Sequence, residues 1–250
     1  MAPNNQFKRK EYKYYVPIGR LEQLRERTLM HMEHDDFCKR RPSGHYSVRS
    51  IYFDTRRRLF YFEKLDGVKI RKKLRVRCYD AREDNPAAFL EIKRKYKNTI
   101  FKERAGVPIT QTPNLTNGAH LTLSDEEPTY LQQAALDKFV YLIKRLNLEP
   151  TVLVTYEREA FRGIEEPDLR VTFDLNVRSY VTPDIDDLFR EEDLRTFADP
   201  WFILEVKFYG KLPFWIRQMI RDLRLRRQSI SKYCWGIDAW TPRVDVPGPD

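Results

Sequence analysis

Alternation of polar and apolar side chains runs through most of the sequence and predicts a protein built largely of β-strands. In a strand, residues i, i+2 and i+4 lie on one face, so alternation marks a strand with two chemically different sides. The pattern, bounded by turn residues, predicts strands over residues 7–16, 46–54, 68–79, 88–96, 98–104, 151–161, 168–175 and 200–209. A hairpin turn is predicted near Lys97 and Asn98.

Helical spacing is confined to three stretches. Apolar residues recur at intervals of three and four over 129–147, which predicts an amphipathic helix. Similar patterns follow Pro17 as far as His31 and occupy residues 213–228. In the last stretch a stripe formed by Phe214, Trp215, Met219 and Leu223 predicts that the helix covers a sheet rather than touching a membrane.

The remaining segments carry turn and loop signals. Residues 55–64 resemble a turn, residues 110–128 a loop with one helical turn, and the acidic segment 184–193 an exposed loop. The proline-rich residues 241–250 predict a frayed tail. No linker divides the chain, so we expect one α+β domain over residues 1–250 with its core at about 7–238.

Cationic side chains occupy one whole face of the predicted strand at 68–79. That face carries Lys69, Arg71, Lys73, Arg75 and Arg77, whereas the opposite face is nearly all apolar. Five like charges at this spacing repel one another, and such a row is favourable where anions lie against it. A solvated sheet face is the ordinary explanation for a polar side of a single strand.

The same alternation recurs on five other strands, which favours an anion-binding face over a merely solvated one. The shared faces carry Arg9, Glu11 and Lys13; Glu91, Lys93 and Lys95; Tyr156 and Arg158; Arg170, Thr172 and Asp174; and Glu205 and Lys207. If these strands close into a barrel, the cations line a positive channel in which each charge contact is strengthened. The net charge of +9 agrees with an anionic partner.

Two glutamates among these cations are candidate metal ligands. Glu205 and Glu11 are lone carboxylates among the cations of these faces, and hard cations such as Mg²⁺ or Mn²⁺ bind one or two carboxylates together with substrate phosphates. An ion pair with the neighbouring cations explains each glutamate equally well. P-loop, dinucleotide-binding and GxSxG motifs are absent from the sequence, which disfavours those classes of enzyme.

Three distant cysteines predict reduced thiols rather than a disulfide framework or a zinc site. The N-terminal residues lack the apolar stretch of a signal peptide, and no run approaches the length of a membrane span. We therefore expect a soluble, cytoplasmic protein.

A set of short motifs, in a fixed order along nearly the whole chain, resembles one known family. The motifs are EYKYYV (11–16), SIYFDT (50–55), LRVRCY (74–79), LEIKRK (90–95), FKERAG (101–106), TYEREAF (155–161), LRVTFD (169–174), ILEVKF (203–208) and SISKY (229–233). Together they resemble the catalytic domain of the vacuolar transporter chaperone (VTC) polyphosphate polymerases, which are triphosphate tunnel metalloenzymes related to CYTH phosphatases. The resemblance implies an antiparallel eight-stranded β-barrel flanked by helices.

The resemblance also implies an activity and a set of site residues. The activity is that of a transferase that moves the γ-phosphate of ATP onto a growing polyphosphate chain, with Mn²⁺ or Mg²⁺ as cofactor. The implied catalytic cations are Arg75, Arg77, Lys93, Arg158 and Lys207. The implied phosphate-binding residues are Lys13, Lys102, Arg170, Lys232, Tyr156 and Ser231, and the implied metal ligand is Glu205.

One departure from the family's motif and several alternative functions bear on this expectation. CYTH enzymes carry an ExExK signature, but here Arg9 replaces the first glutamate, which favours a polymerase over a metal-rich hydrolase. A tripolyphosphatase or nucleoside triphosphatase on the same fold, and a non-catalytic module that binds polyphosphate or RNA, stay open. Nucleic acid is not expected, because the aromatic residues Tyr12, Tyr14, Phe173 and Phe208 fall opposite the cations. A membrane-protein partner that receives the chain is compatible with the resemblance.

Overall fold

A computed structural model describes residues 9–80, 87–96 and 99–241. Within these ranges the strands are β1 (Lys10–Pro17), β2 (Met32–His34), β3 (Tyr46–Thr55), β4 (Ile70–Tyr79), β5 (Ala87–Tyr96), β6 (Thr99–Pro108), β7 (Leu148–Gly163), β8 (Arg170–Val181), β9 (Arg195–Thr196) and β10 (Trp201–Phe208). The helices are α1 (Leu21–Leu29), α2 (Asp36–Lys39), α3 (Leu59–Leu65), α4 (Asn114–Asn117), α5 (Tyr130–Leu146), α6 (Phe214–Asp222) and α7 (Lys232–Asp238). The predicted tail at 242–250 and the turn at 97–98 lie outside the described residues.

The strands form one antiparallel sheet, which confirms the α+β class. Its main path contains eight strands in the order β1-β10-β8-β7-β3-β4-β5-β6, and the short strands β2 and β9 pair with β7 and β8. The β5–β6 hairpin pairs Tyr96 with Thr99, as the sequence predicted. In the ranges described, no ladder joins β1 to β6, so the eight-stranded closed barrel is not confirmed.

Helix α5 covers the apolar face of one half of the sheet, the half formed by the strands numbered β3 to β7. Thr129 caps this helix by accepting a hydrogen bond from the backbone N–H of Gln132, whose side chain completes a capping box. Phe139 is fully buried and meets Phe53 of β3 edge to face, with 6.0 Å between ring centroids. Burial of this stripe removes apolar area from water and holds the sheet's outer face against the helix.

A second apolar cluster covers β1, β8 and β10. Phe173 and Phe202 pack there with Ile216 and Met219 of α6. The predicted helix at 213–228 is shorter than expected because it ends at Asp222. The prediction that Phe214 belongs to the buried stripe is wrong, since that side chain is 67% exposed.

Helix α7, which the alternation pattern did not predict, packs directly on β7 and β8. A Cβ atom at Gly236 would stand only 3.1 Å from a methyl group of Val154 and 3.2 Å from Cβ of Ser179. Glycine therefore permits a close approach of helix to sheet that a larger residue would obstruct. Ser231 caps the helix by accepting from the N–H of Cys234 at 3.3 Å.

Two further segments differ from their sequence predictions. Residues 55–64 contain helix α3 rather than only a turn, because the buried carboxylate of Asp54 accepts hydrogen bonds from the first backbone N–H groups of the helix. The acidic segment 184–193 contains a 3₁₀ helix at Ile185–Phe189. Ile185 and Leu188 are buried there, so the segment packs on the sheet instead of forming an exposed loop.

In the part of the chain that the structure describes, none of the helices has both the length and the apolar character needed to cross a membrane.

Candidate functional site

A cavity of about 670 Å³ lies against the polar face of the sheet and is lined by residues of all eight strands in its main path. Its wall carries thirteen lysine and arginine residues but three glutamates. The structure brings all twelve site residues predicted from the sequence to this wall: Lys13, Arg75, Arg77, Lys93, Lys102, Tyr156, Arg158, Arg170, Glu205, Lys207, Ser231 and Lys232. The sheet therefore curves around a strongly positive space, and the chemical roles of these residues remain predictions.

The two-residue period of β4 places its cations on the cavity side. Arg75 and Arg77 line the cavity, whereas Leu74 and Val76, which alternate with them, are fully buried in the core. Lys69, the first residue of the predicted cationic row, lies before the beginning of β4. The row on this strand is therefore one residue shorter than predicted. The alternation therefore identified which side of this strand faces the cavity.

Glu91 neutralises part of the wall. Its fully buried carboxylate is 2.8 Å from Nε of Arg75, 2.6 Å from Nζ of Lys102 and 3.6 Å from Nε of Arg104. Burial alone would raise the pKa of Glu91, but Arg75, Arg77 and Lys102 outweigh it and hold the pKa far below its usual range. Arg104 was missed by the sequence analysis, although it shares a β6 face with Lys102.

Asp174 holds two other predicted cations in place. Arg158 donates two hydrogen bonds to this fully buried carboxylate, at 2.6 and 2.8 Å, and Lys232 donates a third. Burial would raise the pKa of Asp174, yet the positive charges of Arg158 and Lys232 lower it to about 2. Both cations are therefore prepositioned before any ligand binds.

Two carboxylates lie together at the β1–β10 pair. Nζ of Lys13 is 2.8 Å from Glu11 and 3.7 Å from Glu205, and Lys207 also pairs with Glu205. Burial would raise the pKa of Glu205, but Lys207 and Lys13 hold it well below its usual range. Both sequence interpretations of Glu205, an ion pair and a metal ligand, are compatible with this geometry.

The donor set suits a hard divalent cation that is shared with a ligand. Glu11 and Glu205 supply carboxylate oxygens within one small region, and Mg²⁺ or Mn²⁺ sites often use one or two carboxylates and complete their coordination with water and phosphate. Among residues 9–80, 87–96 and 99–241, no group of three or more His, Cys, Asp or Glu side chains forms a metal cage. Any metal at this position would therefore need oxygen atoms from the ligand.

Five cations of the wall make no ion pair with a carboxylate in the described ranges: the exposed Arg9 and Lys10, and the less exposed Lys73, Arg77 and Lys93. Arg77 instead donates to the hydroxyl oxygens of Ser50 at 2.9 Å and Tyr156 at 3.1 Å, and Lys73 donates to Ser231 at 2.7 Å. Burial and then the charge of Arg75 lower the pKa of Lys93 to about 7. Burial likewise lowers the pKa of Lys73 to about 8. These crowded positive groups lack counterions, which an anionic ligand would supply.

Tyrosine side chains form an unpredicted part of the wall. Tyr46, Tyr52, Tyr79, Tyr156, Tyr209 and Tyr233 all line the cavity. Burial would raise the pKa of Tyr52, but Arg75, Arg77 and Lys73 outweigh it and lower the pKa to about 8. The guanidinium carbon of Arg75 lies 5.7 Å from the centroid of the Tyr52 ring, so the ring also stabilises the charge of Arg75 through a cation–π interaction.

These tyrosines qualify the sequence argument against nucleic acid. The four aromatic residues named in that argument do belong to the outer apolar cluster, but other aromatics face the cations. Tyr46, Tyr52 and Tyr156 are nearly fully buried, so their rings have little free surface on which a base could stack. Absence of nucleic acid binding stays a prediction.

Comparison with known proteins gave one family match. The profile of the VTC domain family matches residues 8–241. The comparison with curated proteins gave no match.

Two solved structures align over most of the chain. A protein of Pyrococcus horikoshii OT3 is 16% identical, with a TM-score of 0.48 and coverage of 92% of this chain and 98% of that one. A Vibrio parahaemolyticus protein provisionally described as an adenylate cyclase is 12% identical, with a TM-score of 0.43 and coverage of 91% and 96%.

Proposed function

This chain belongs to the VTC domain family, and from that membership and the cation-lined cavity we propose that it is an ATP-dependent polyphosphate polymerase. The enzyme binds ATP and polyphosphate in a tunnel around which the eight strands of the main path curve. The observation that carries the proposal is the excess of thirteen basic residues over three glutamates on one wall, where the buried Arg77 and the half-buried Lys73 and Lys93 have no carboxylate partner in the described residues. A chain of phosphates supplies closely spaced negative charges for such a wall.

In the proposed reaction, an oxygen of the terminal phosphate of the acceptor chain attacks the γ-phosphorus of ATP. A new P–O bond forms, the bond between the γ-phosphorus and the bridging oxygen to the β-phosphate breaks, and ADP leaves with that oxygen. The attacking phosphate is already an anion, so no general base is required. Positioning and charge stabilisation by Arg75, Arg77, Lys93, Arg158 and Lys207 supply the rate enhancement.

Glu205, with Glu11 beside it, would hold a Mn²⁺ or Mg²⁺ ion. A bound divalent ion offsets the negative charge of phosphate oxygens. Lys13 contacts both carboxylates and would neutralise part of their charge in the absence of the ion.

Incubation of the protein with ATP and MnCl₂ tests the proposal. We expect polyphosphate chains that are resolved by gel electrophoresis and degraded by an exopolyphosphatase, with one ADP formed for each phosphate transferred. Replacement of Lys93 by methionine should abolish chain synthesis, whereas Arg145→Ala should not, because Arg145 is exposed on α5. Orthophosphate without chains would instead identify a hydrolase, and ATP binding without turnover would identify a binding module.

A second prediction concerns protons and does not require turnover. Near pH 8 the amine of Lys93 is largely neutral, because burial and Arg75 lower its pKa to about 7. A bound polyanion raises that pKa, so binding of tripolyphosphate should be coupled to uptake of up to about one proton at this lysine. Isothermal titration calorimetry at pH 8, in two buffers of different ionisation enthalpy, measures the uptake.

The Lys93→Met variant provides the reference for this measurement. It should bind tripolyphosphate with less proton uptake than the wild type, and the remaining uptake reports Lys73 and the ligand. Equal uptake by both proteins would show that Lys93 is already charged before the ligand binds.

A further inference from the structure

Helix α3 and the turn that follows it present apolar side chains to solvent. Leu59, Phe62 and Leu65 recur every three residues along the helix, and Val68 and Ile70 follow directly. All five side chains are between 39 and 57% exposed. We call these five residues the α3 patch. A helix whose inner and outer faces are both apolar is unusual for a surface element, and contiguous exposed apolar residues commonly mark an interaction site.

The opposite side of α3 is anchored, so the exposure of the α3 patch is built into the fold. Phe60 is buried in the core, and its backbone N–H donates to Asp54 at 2.9 Å. The N–H of Tyr61 donates to the same carboxylate at 3.0 Å, and the hydroxyl of Tyr61 donates to Asp238 of α7. Rotation of the helix to bury Phe62 would break these contacts.

Basic side chains surround the α3 patch. Arg56, Arg57 and Arg58 precede the helix and Lys69 lies between Val68 and Ile70, and all four are exposed. None of these four makes a side-chain hydrogen bond or ion pair within the residues that the structure covers. Apolar side chains flanked by free, exposed cations are typical of helices that lie in the interface of an anionic membrane.

Helix α3 also contributes to a second cavity next to the main one. This cavity, of about 270 Å³, shares Lys73 and Lys93 with the main cavity, and its lining includes Lys64 of α3 and Lys72 of β4. Lys64 donates to Ser229 at 3.1 Å, which ties α3 to this lining. A surface bound by the α3 patch would therefore lie close to the second cavity.

We propose that the α3 patch docks the protein onto an anionic lipid bilayer. Leu59, Phe62 and Leu65 enter the boundary between headgroups and acyl chains, and the surrounding arginines and lysines contact lipid phosphates and carboxylates. A lipid surface fits better than a protein partner because four exposed cations without partners in the described residues surround the apolar side chains, as the charges of an anionic bilayer require. The proposal does not depend on the reaction that takes place in the channel.

Co-sedimentation of the full chain with lipid vesicles tests this proposal. We expect binding to vesicles of phosphatidylcholine mixed with phosphatidylserine, weaker binding to phosphatidylcholine alone, and a decrease with added salt. The double variant Phe62→Ser with Leu65→Ser should lower the partition coefficient by at least about tenfold, because it removes two large apolar groups from the interface. Arg56→Glu with Arg57→Glu should lower binding only to the anionic vesicles.

The matched control is Tyr130→Ser with Leu131→Ser, which removes two exposed large apolar side chains from α5. This control should bind vesicles like the wild type, and circular dichroism should show that every variant is folded. Equal loss of binding in the control, or unchanged binding in the Phe62 and Leu65 variant, would overturn the proposal. So would a dimer in lipid-free solution that only the α3 patch variant dissociates, because the patch would then be a contact between copies of the chain.

Discussion

Replacement of Arg77 by alanine is expected to lower turnover about 10²–10³-fold and to reduce the free energy of unfolding less than replacement of Arg75 does. Arg77 lines the cavity and is 6% exposed, but its described partners are the neutral hydroxyls of Ser50 and Tyr156. Its removal leaves no buried carboxylate unpaired. Burial and the charge of Arg75 act to lower the pKa of Arg77, but Tyr156 and Glu91 outweigh them and raise it.

The comparison variant is Arg75→Ala on the same face of the same strand. Arg75 pairs with the fully buried Glu91, so its removal should cost both activity and about 3 kcal/mol of stability. Steady-state consumption of ATP and urea denaturation measure the two effects separately. Equal losses of stability in the two variants would contradict the assignment of Arg77 as a cation without a structural counterion.

Replacement of Asp174 by alanine is expected to have the largest effect on stability, a loss of about 3–5 kcal/mol. The variant leaves the guanidinium of Arg158 and the amine of Lys232 buried without their shared carboxylate. Adding Arg158→Met to Asp174→Ala should restore part of the loss, because one unpaired charge is then removed. A free energy of unfolding within about 1 kcal/mol of the wild type would contradict this role.

The pH dependence of unfolding gives a second measurement of Asp174. Its pKa is about 2 in the folded protein, below the ordinary value of an exposed aspartate, because Arg158 and Lys232 outweigh the effect of burial. A depressed folded-state pKa contributes stability that is present above the unfolded-state pKa and is lost as the pH falls toward 2. We therefore expect the difference in stability between wild type and Asp174→Asn to shrink as the pH falls from about 4 to about 2.

The spacing of residues along each strand predicts which cationic side chains face the cavity. The period of two in β4 separates Arg75 and Arg77 from Leu74 and Val76, so the cationic side of the strand is readable without knowing its neighbours. Similarly, the three- and four-residue spacing over 129–147 matches α5 within one residue at each end. The family was identified from its short motifs in order along the chain, and that resemblance implied the antiparallel sheet.

Which charges neutralise each other depends on strand register, and that is a long-range property. Arg158 stands opposite Asp174 across the β7–β8 ladder, and Arg75 stands opposite Glu91 across the β4–β5 ladder. A shift of one residue would move each carboxylate to the other face of the sheet. The β7–β8 register also changes between Thr155 and Glu157, which alternation along one strand does not reveal.

Local sequence patterns thus specified the eight main strands, the side of each that carries cations, and an anionic ligand, because side-chain direction in a strand has a fixed period. The family resemblance narrowed the predicted ligand to phosphates. The curvature of the sheet, the carboxylate partners and the capping of α3 by Asp54 were decided only by tertiary structure. These features join residues that are distant in the sequence, such as Lys232 with Asp174 and Tyr233 with Asp54. Their energies come from burial and charge pairing, which exist only once the strands and helices have packed.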